Sequence, residues 1–358
     1  MTFGTRFIAA FGALALLVAC APDQSGNQGA TGSAAGTTDG VALTGAGATF
    51  PYPIYGKWFS DYAAKTGIKI NYQSIGSGGG VRQIIEQTVD FGASDSPMTD
   101  EELSRAKGGP IFHVPTVLGA DVITYNVPGV PHGLKLSGPV VADIFLGRIT
   151  KWNDPRIATL NTGTTLPNAD ILVVHRSDGS GTTYIFTDYL SAVSPEWSRV
   201  VGKGKEVSWP TGIGARGNEG VAGQVKQTPG SIGYVELAYA KQNDLAYASI
   251  QNAAGNFVAP TIESISAAAT AIPATSDYRV SVVNAAGANA YPISSFTWLL
   301  VYRNPADTAK SRILTDFLRY ALTEGAAAAR ALDYAPLPEG MTRQLLTRID
   351  SIGAGTGR

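Results

Sequence analysis

The chain has 358 residues, enough for two domains at about 150 residues each. Its 27 Lys+Arg against 28 Asp+Glu leave a net charge of −1, which excludes the strongly basic face of a general nucleic-acid binder, and a mean hydropathy of +0.04 is too low for a polytopic membrane protein. Any anion must then be held by local groups, and the 42 glycines, above the average usage of about 7%, cluster after strand-like segments, as backbone does where it approaches a ligand.

Residues 1–20 read as an export signal: Phe7 to Ala19 is an apolar run behind Arg6, too short to span a membrane. The run ends in Leu17-Val18-Ala19-Cys20, which resembles the bacterial lipoprotein signal and implies a lipid on Cys20 after cleavage. An ordinary cut at Ala19-Cys20-Ala21 is the competing reading, but it leaves Pro22 close behind the cleavage point, where its ring restricts the chain. Cys20 is the single cysteine, so the mature fold has no internal disulfide. Residues 21–40, rich in Gly, Ser, Thr, Asn and Gln, read as a flexible tether. The expected product is exported, periplasmic or cell-surface, and held to a membrane by lipid.

From Val41 a strand-like stretch leads through Leu43 into Gly45-Ala46-Gly47-Ala48-Thr49-Phe50-Pro51, with a helix beyond it carrying Ile54, Trp58 and Tyr62 on one face. Thr49 is the expected N-cap, with Pro51 in the first turn. Ile68 to Ile75 reads as a strand, Gly76-Ser77-Gly78-Gly79-Gly80 as a turn, and Val81, Ile84, Ile85 and Thr88 as a helix face. The plan recurs at Ile171-Leu172-Val173-Val174, which runs into His175-Arg176-Ser177-Asp178-Gly179-Ser180-Gly181-Thr182-Thr183 and a helix over Tyr184 to Leu190. Each such loop presents a helix N-terminus, whose unpaired N–H groups and positive dipole end suit an oxyanion.

Alternating strands and helices imply an α/β protein with parallel-type sheets flanked by helices and ligands at the carboxyl ends of the strands. The apolar strand-like segments Val117 to Val127 and Ser294 to Tyr302 are the expected crossovers. They divide the chain into a discontinuous first domain, residues 41–118 with 296–358, and a continuous second domain, residues 119–295.

Gly212-Ile213-Gly214-Ala215-Arg216-Gly217 fits G-x-G-x-x-G but follows Trp209-Pro210 without a clear preceding strand, so it reads as loop. There is no nucleotide-binding P-loop, so ATP hydrolysis would need another chain. His113, His132 and His175 show no metal-ligand spacing, and neither Ser77 nor Ser180 fits the G-x-S-x-G elbow of a serine hydrolase.

At this point the motifs resemble the phosphate-binding proteins of bacterial high-affinity phosphate ABC transporters. The match runs from Leu43 to about Leu337, through Thr44-Gly45-Ala46-Gly47-Ala48-Thr49-Phe50-Pro51, Gly76-Ser77-Gly78-Gly79-Gly80, Val89-Asp90-Phe91-Gly92-Ala93-Ser94-Asp95 and Asp178-Gly179-Ser180-Gly181-Thr182. Gly233-Tyr234-Val235-Glu236 and Leu332-Asp333-Tyr334 also match. The resemblance implies a two-domain type II periplasmic-binding-protein fold that takes inorganic phosphate into the interdomain cleft. It implies hydroxyl donation from Thr49, Ser77, Ser180 and Thr182, N–H donation from Phe50, Ser77, Ser180, Gly181 and Thr182, a charged donor in Arg176 held by Asp178, and proton acceptance by Asp95. Where family members often carry a second serine, this chain has Gly78. The implied protein is a monomer, not an enzyme, without metal or cofactor, and its partners are membrane permease subunits with a separate ATPase.

The residues support parts of this on their own. Arg176 and Asp178, two apart in an extended segment, can lie on one side and pair, although a surface cation behind a strand has the same spacing. Ser180 or Thr182 could serve only as a helix cap, but two hydroxyls plus glycines exceed what a cap needs. Asp95 lacks a local task, because Thr99 and Glu102 form the capping box of the next helix. A carboxylate in an anion site repels its ligand unless the anion brings a proton, as phosphate does and sulfate does not. Sulfate and molybdate are the alternative ligands. The rival functions are a phosphate-ester hydrolase using Ser180 or Thr182, and a lipid-tethered lectin or adhesin.

Overall fold

The computed structural model describes residues 43–270, 272 and 277–353. The export signal, Cys20 and the tether lie outside these described residues. Strand β1 (Leu43–Gly47) runs parallel between β2 (Ile70–Ser74) and β3 (Phe91–Ser94). Gly45 and Gly47 are therefore in the strand and not in a loop. A Cβ on Gly47, whose φ is +146°, would lie 2.0 Å from the Ala93 carbonyl oxygen, so the backbone geometry and the neighbouring strand both require glycine there.

The first crossover helix, Tyr52–Thr66, buries Ile54, Tyr55, Trp58, Phe59 and Tyr62, the face expected from the spacing. It starts later than predicted: Pro51 occupies the cap position without a side-chain cap bond, and Thr49 is turned elsewhere. The second helix, Ser77–Ile85, begins at Ser77, so Gly78, Gly79 and Gly80 form its first turn instead of preceding it. Close packing is the reason, since the Gly80 position lies against the backbone of both β1 and β3.

Strand β4 (Ile111–Asn126) begins six residues before the predicted Val117. Pro115 disguised its first part, and the sheet accommodates that proline at a bulge where the register slips between Thr297 and Trp298. In the interior lie β5 (Lys135–Leu136), β6 (Leu172–Arg176), β7 (Ile213–Ala215), β8 (Ser231–Glu236), β9 (Ala246–Tyr247), β10 (Ser249–Gln251) and β11 (Phe257–Val258), followed by β12 (Ser294–Tyr302) and β13 (Ala335–Pro336). The main sheet has the order β2-β1-β3-β12-β4-β8-β6-β7, with β9 and β13 also pairing on β4, and β11-β10-β5 form a separate small sheet. Ile111 to Ala120 of β4 pair with β12, whereas Asp121 to Asn126 pair with β8. One strand thus serves two sets of neighbours.

The loop reading of residues 212–217 was wrong. Ile213–Ala215 form an edge strand parallel to β6, and the helix Gly217–Gln227 starts at once behind it. A three-residue strand with a central glycine and an exposed Ile213 has none of the alternation that marks a half-buried strand.

The Gly80 contacts give a direct test. A Cβ there would stand 2.6 Å from the Ala93 carbonyl oxygen, 2.6 Å from Gly47 Cα and 2.7 Å from the Ala46 carbonyl oxygen, all backbone atoms. Gly80→Ala is expected to lower the unfolding free energy by about 1–3 kcal/mol through overpacking. Urea denaturation with an unchanged midpoint would show that the helix can lift away from the strands.

Candidate functional site

Four helix starts gather beside the carboxyl ends of β1, β3 and β6. Their approach can be measured: Gly78 N–H donates to the Gly179 carbonyl at 2.9 Å, and a Cβ on Gly181 would lie 2.4 Å from Ser77 Oγ and 2.5 Å from Asp95 Oδ2. Thr49, Phe50, Ser77, Asp95, Arg176, Ser180 and Thr182 are each no more than 3% exposed. The predicted residues are thus brought together across 133 positions of sequence, from Thr49 to Thr182, by the parallel crossovers that return each strand end to one edge.

Arg176, at the end of β6, is not a surface cation. Its Nε donates to Asp178 Oδ1 at 2.7 Å and its Nη2 to Asp178 Oδ2 at 2.6 Å, a two-pronged pair in which the arginine side chain is 1% exposed. Burial alone would raise the Asp178 carboxyl, but the Arg176 hydrogen bonds and charge, with a further N–H from Gly217, hold it below its ordinary range. The Arg176 backbone N–H donates to the Tyr234 hydroxyl at 3.0 Å, fixing the base of the side chain.

The helix Gly181–Val193 begins directly after Ser180, whose Oγ accepts from Thr183 N–H at 3.0 Å. Ser180 is therefore a true N-cap. The first N–H groups of a helix have no partner within it, which leaves Gly181 and Thr182 to present theirs outward. Thr182 Oγ1 does not cap; it accepts from Asn218 Nδ2 at 3.0 Å and from Arg176 Nη1 at 3.4 Å.

Asp95 follows β3. The capping box of Thr99 and Glu102 forms as predicted, so the next helix makes no demand on this carboxyl. Its Oδ1 accepts from Thr297 Oγ1 at 2.7 Å and its Oδ2 from Ser77 Oγ at 3.3 Å. Burial outweighs these bonds and the Arg176 charge, pushing the carboxyl up to about 7.

Several residues of the site carried no role in the sequence reading. Asn218, fully buried in the first turn of the helix Gly217–Gln227, binds both Thr49 and Thr182. It was missed because the strand before it was missed. Tyr239 donates its hydroxyl to the Thr49 carbonyl at 2.6 Å, and Tyr334 donates to the Phe50 carbonyl at 2.7 Å, close to Glu236 Oε2 at 2.8 Å. Glu236 and its cross-strand partner Asp121 are fully buried, and burial holds both carboxyls well above their ordinary range. His113 accepts the Met98 N–H, and His175 stacks on Trp209 at 4.8 Å between centroids. Among the described residues there is no His/Cys/Asp/Glu cluster that could hold a metal ion.

A strand that serves two sets of neighbours, with buried donors gathered on helix starts, is the arrangement of a class of cleft-binding proteins. Comparison places the chain in it: the model of the PBP superfamily domain matches residues 28–324. The chain is 51% identical over 312 residues to the phosphate-binding protein PstS of Pasteurella multocida, covering 86% of this chain and 90% of that protein. It is 50% identical over 300 residues to the phosphate-binding protein PstS of Haemophilus influenzae, covering 83% and 89%. The chain belongs to the phosphate-binding protein family of this superfamily. In fold it is similar to a high-affinity periplasmic phosphate-binding protein, PfluDING, solved with phosphate, at a TM-score of 0.69 and 24% identity over 86% of this chain and 93% of that one. The fold is thus the expected type II periplasmic-binding-protein fold.

The Asp95 carboxyl makes a pH prediction. The folded chain holds this proton up to about pH 7, whereas an ordinary carboxyl has lost it. Burial of the ionised form therefore costs stability that is absent below about pH 4 and fully present above about pH 7. Asp95→Asn removes that cost, so in phosphate-free buffer it should stabilise the fold by roughly 2–4 kcal/mol at pH 8 and by almost nothing at pH 4. Equal effects at both pH values, read by chemical denaturation, would contradict the buried, proton-holding Asp95.

Proposed function

We propose that this chain is the extracytoplasmic solute-binding protein of a phosphate ABC transporter: it takes inorganic phosphate between its lobes and passes it to membrane permease subunits driven by a separate ATPase. The observation that carries this reading is Asp95, a buried carboxyl standing beside hydroxyl donors, N–H donors and one guanidinium. Thr49, Ser77, Ser180 and Thr182 would donate hydroxyls, and Phe50, Ser77, Gly181 and Thr182 N–H groups; the Ser180 N–H drops out of the expected set because it donates to the Lys205 carbonyl at 2.9 Å. Arg176 would supply the charged donor with Asp178 as its support. Asp95 would take the hydrogen bond from a protonated phosphate oxygen. The family membership supports a transport protein and not an enzyme, and the names of the relatives support phosphate over the alternative oxyanions.

On this reading residues 41–118 with 296–358 and residues 119–295 are two bodies that hinge about β4 and the segment leading into β12. The hinge is supported by the change of partner from β12 to β8 after Ala120. Cleft closure would present the permease with a surface that differs from the open form.

Calorimetric titration with phosphate, sulfate and molybdate tests the ligand. At pH 8, where Asp95 has lost its proton, phosphate should bind far more tightly than sulfate, because sulfate then sets a bare negative charge against the carboxylate where water screens little. Asp95→Asn should lower the phosphate-to-sulfate affinity ratio at least about tenfold, about 1.4 kcal/mol, mainly by improving sulfate. A ratio that does not move would place discrimination elsewhere.

The lipid anchor on Cys20 is likewise our reading, supported by Leu17-Val18-Ala19-Cys20. Acyl chains on that cysteine would hold the protein at a membrane without a spanning helix. Cells fed a labelled fatty acid should label the wild-type chain and not Cys20→Ser; label on the variant would exclude Cys20 as the attachment point.

A further inference from the structure

Asn218 has all its amide atoms engaged, and the engagement has a direction. Its Oδ1 accepts the backbone N–H of Glu236 at 2.9 Å, and a backbone N–H can only donate. The other end of the amide must therefore be the NH2 group, which donates to Thr49 Oγ1 at 2.7 Å and to Thr182 Oγ1 at 3.0 Å. The Asn218 backbone N–H adds a second donation to Thr49 Oγ1 at 3.2 Å, and Arg176 Nη1 adds a second to Thr182 Oγ1 at 3.4 Å.

Each threonine oxygen thus receives two N–H donors, filling the two acceptor positions of a hydroxyl. The remaining direction of each is its own O–H bond. A hydroxyl is otherwise free to rotate and serves equally as donor or acceptor; these two can only give. An oxyanion offers acceptors, so a hydroxyl fixed as donor is already oriented for it, without the reorganisation a free rotor undergoes.

We infer that Asn218 is a positioning residue for oxyanion binding: it fixes the hydroxyls of Thr49 and Thr182, one from each lobe, as donors to the ligand. The inference rests on the phosphate reading proposed above. Asn218 also ties the lobes together, because Thr49 precedes the first crossover helix while Asn218 and Thr182 stand on helices of the second lobe.

The test is a set of phosphate titrations on wild type, Asn218→Ala, Asn218→Asp, Thr49→Val/Thr182→Val, and the combined variants, each checked for folding by circular dichroism. Wild type must first bind phosphate; if it does not, the ligand assignment has failed and not the role of Asn218. Asn218→Ala should weaken phosphate about tenfold or more in the wild-type background, with the retained backbone donor to Thr49 limiting the loss. In the Thr49→Val/Thr182→Val background the same change should have almost no effect on affinity, because no hydroxyl remains to be oriented. A residue that only supports the fold would lower affinity by the same factor in both backgrounds, and that result overturns the inference, as does wild-type affinity in Asn218→Ala. Should Asn218→Ala fail to fold, Asn218→Asp keeps the volume. Its loss should exceed that of the same change in the double-valine background by about tenfold, because an acceptor facing the two hydroxyls draws their protons away from the anion; equal losses in the two backgrounds reject the role.

Discussion

The pairing of Arg176 with Asp178 sets the terms for everything around it. A guanidinium buried to this degree needs its carboxylate, since either charge left alone in the interior would cost several kcal/mol. Once the pair is made, its formal charges cancel. Burial pushes the carboxyls of nearby Asp121 and Glu236 well above their ordinary range, which disfavours their charged forms. On the proposed reading, the groups left to hold an anion are largely dipolar: N–H groups on helix starts, hydroxyls, and the donor edge of Arg176 turned toward Thr182. Dipoles act strongly only when held in place. The tight glycine contacts and the tyrosines on the Thr49 and Phe50 carbonyls are the means of holding them.

This also accounts for a near-neutral chain in a family that handles an anion. On the proposed reading, specific donors at fixed positions would do the work that a broad positive surface would do less selectively. Behind them lies an aromatic layer: Tyr234 stacks on Phe186 with centroids 4.4 Å apart, while its hydroxyl meets both the Arg176 N–H and Thr183 Oγ1. The side chain that fills the core and the one that anchors the arginine backbone are the same, so packing and site geometry are joined at a single residue.

Much of this could be read from the sequence, and the failures have a common cause. Three strand–loop–helix units, the Arg176–Asp178 pair and an Asp95 without a local capping task were legible because they depend on residues close in sequence: spacing, caps, and the capping box of the next helix. Residues that act over distance left no local trace. Thr297 reaches Asp95 from β12 across 202 positions, and Tyr334 reaches Phe50 across 284. Thr49 looked like a cap because a threonine before a proline and a helix often is one, yet its hydroxyl answers to Asn218. The short strand Ile213–Ala215 was hidden by its glycine and by exposure, and Asn218 was hidden with it. Pro115 similarly masked the first part of β4, whose sheet tolerates it only through a bulge.

The position of β12 governs the order in which the molecule can be assembled. It lies between β3 and β4, in the middle of its half of the sheet, yet it starts at residue 294. As the chain emerges from its amino terminus, β1, β2 and β3 can associate early, but β3 and the first part of β4 have open inner edges until β12 is made. By contrast, β6, β7 and β8 with the last part of β4 are complete by residue 236. The half that begins the sequence is therefore the last to close, and its unpaired edges are exposed for most of synthesis, a state prone to wrong pairing between chains. A partner that keeps the chain unfolded until its final third has been made would have most to protect in those two edges.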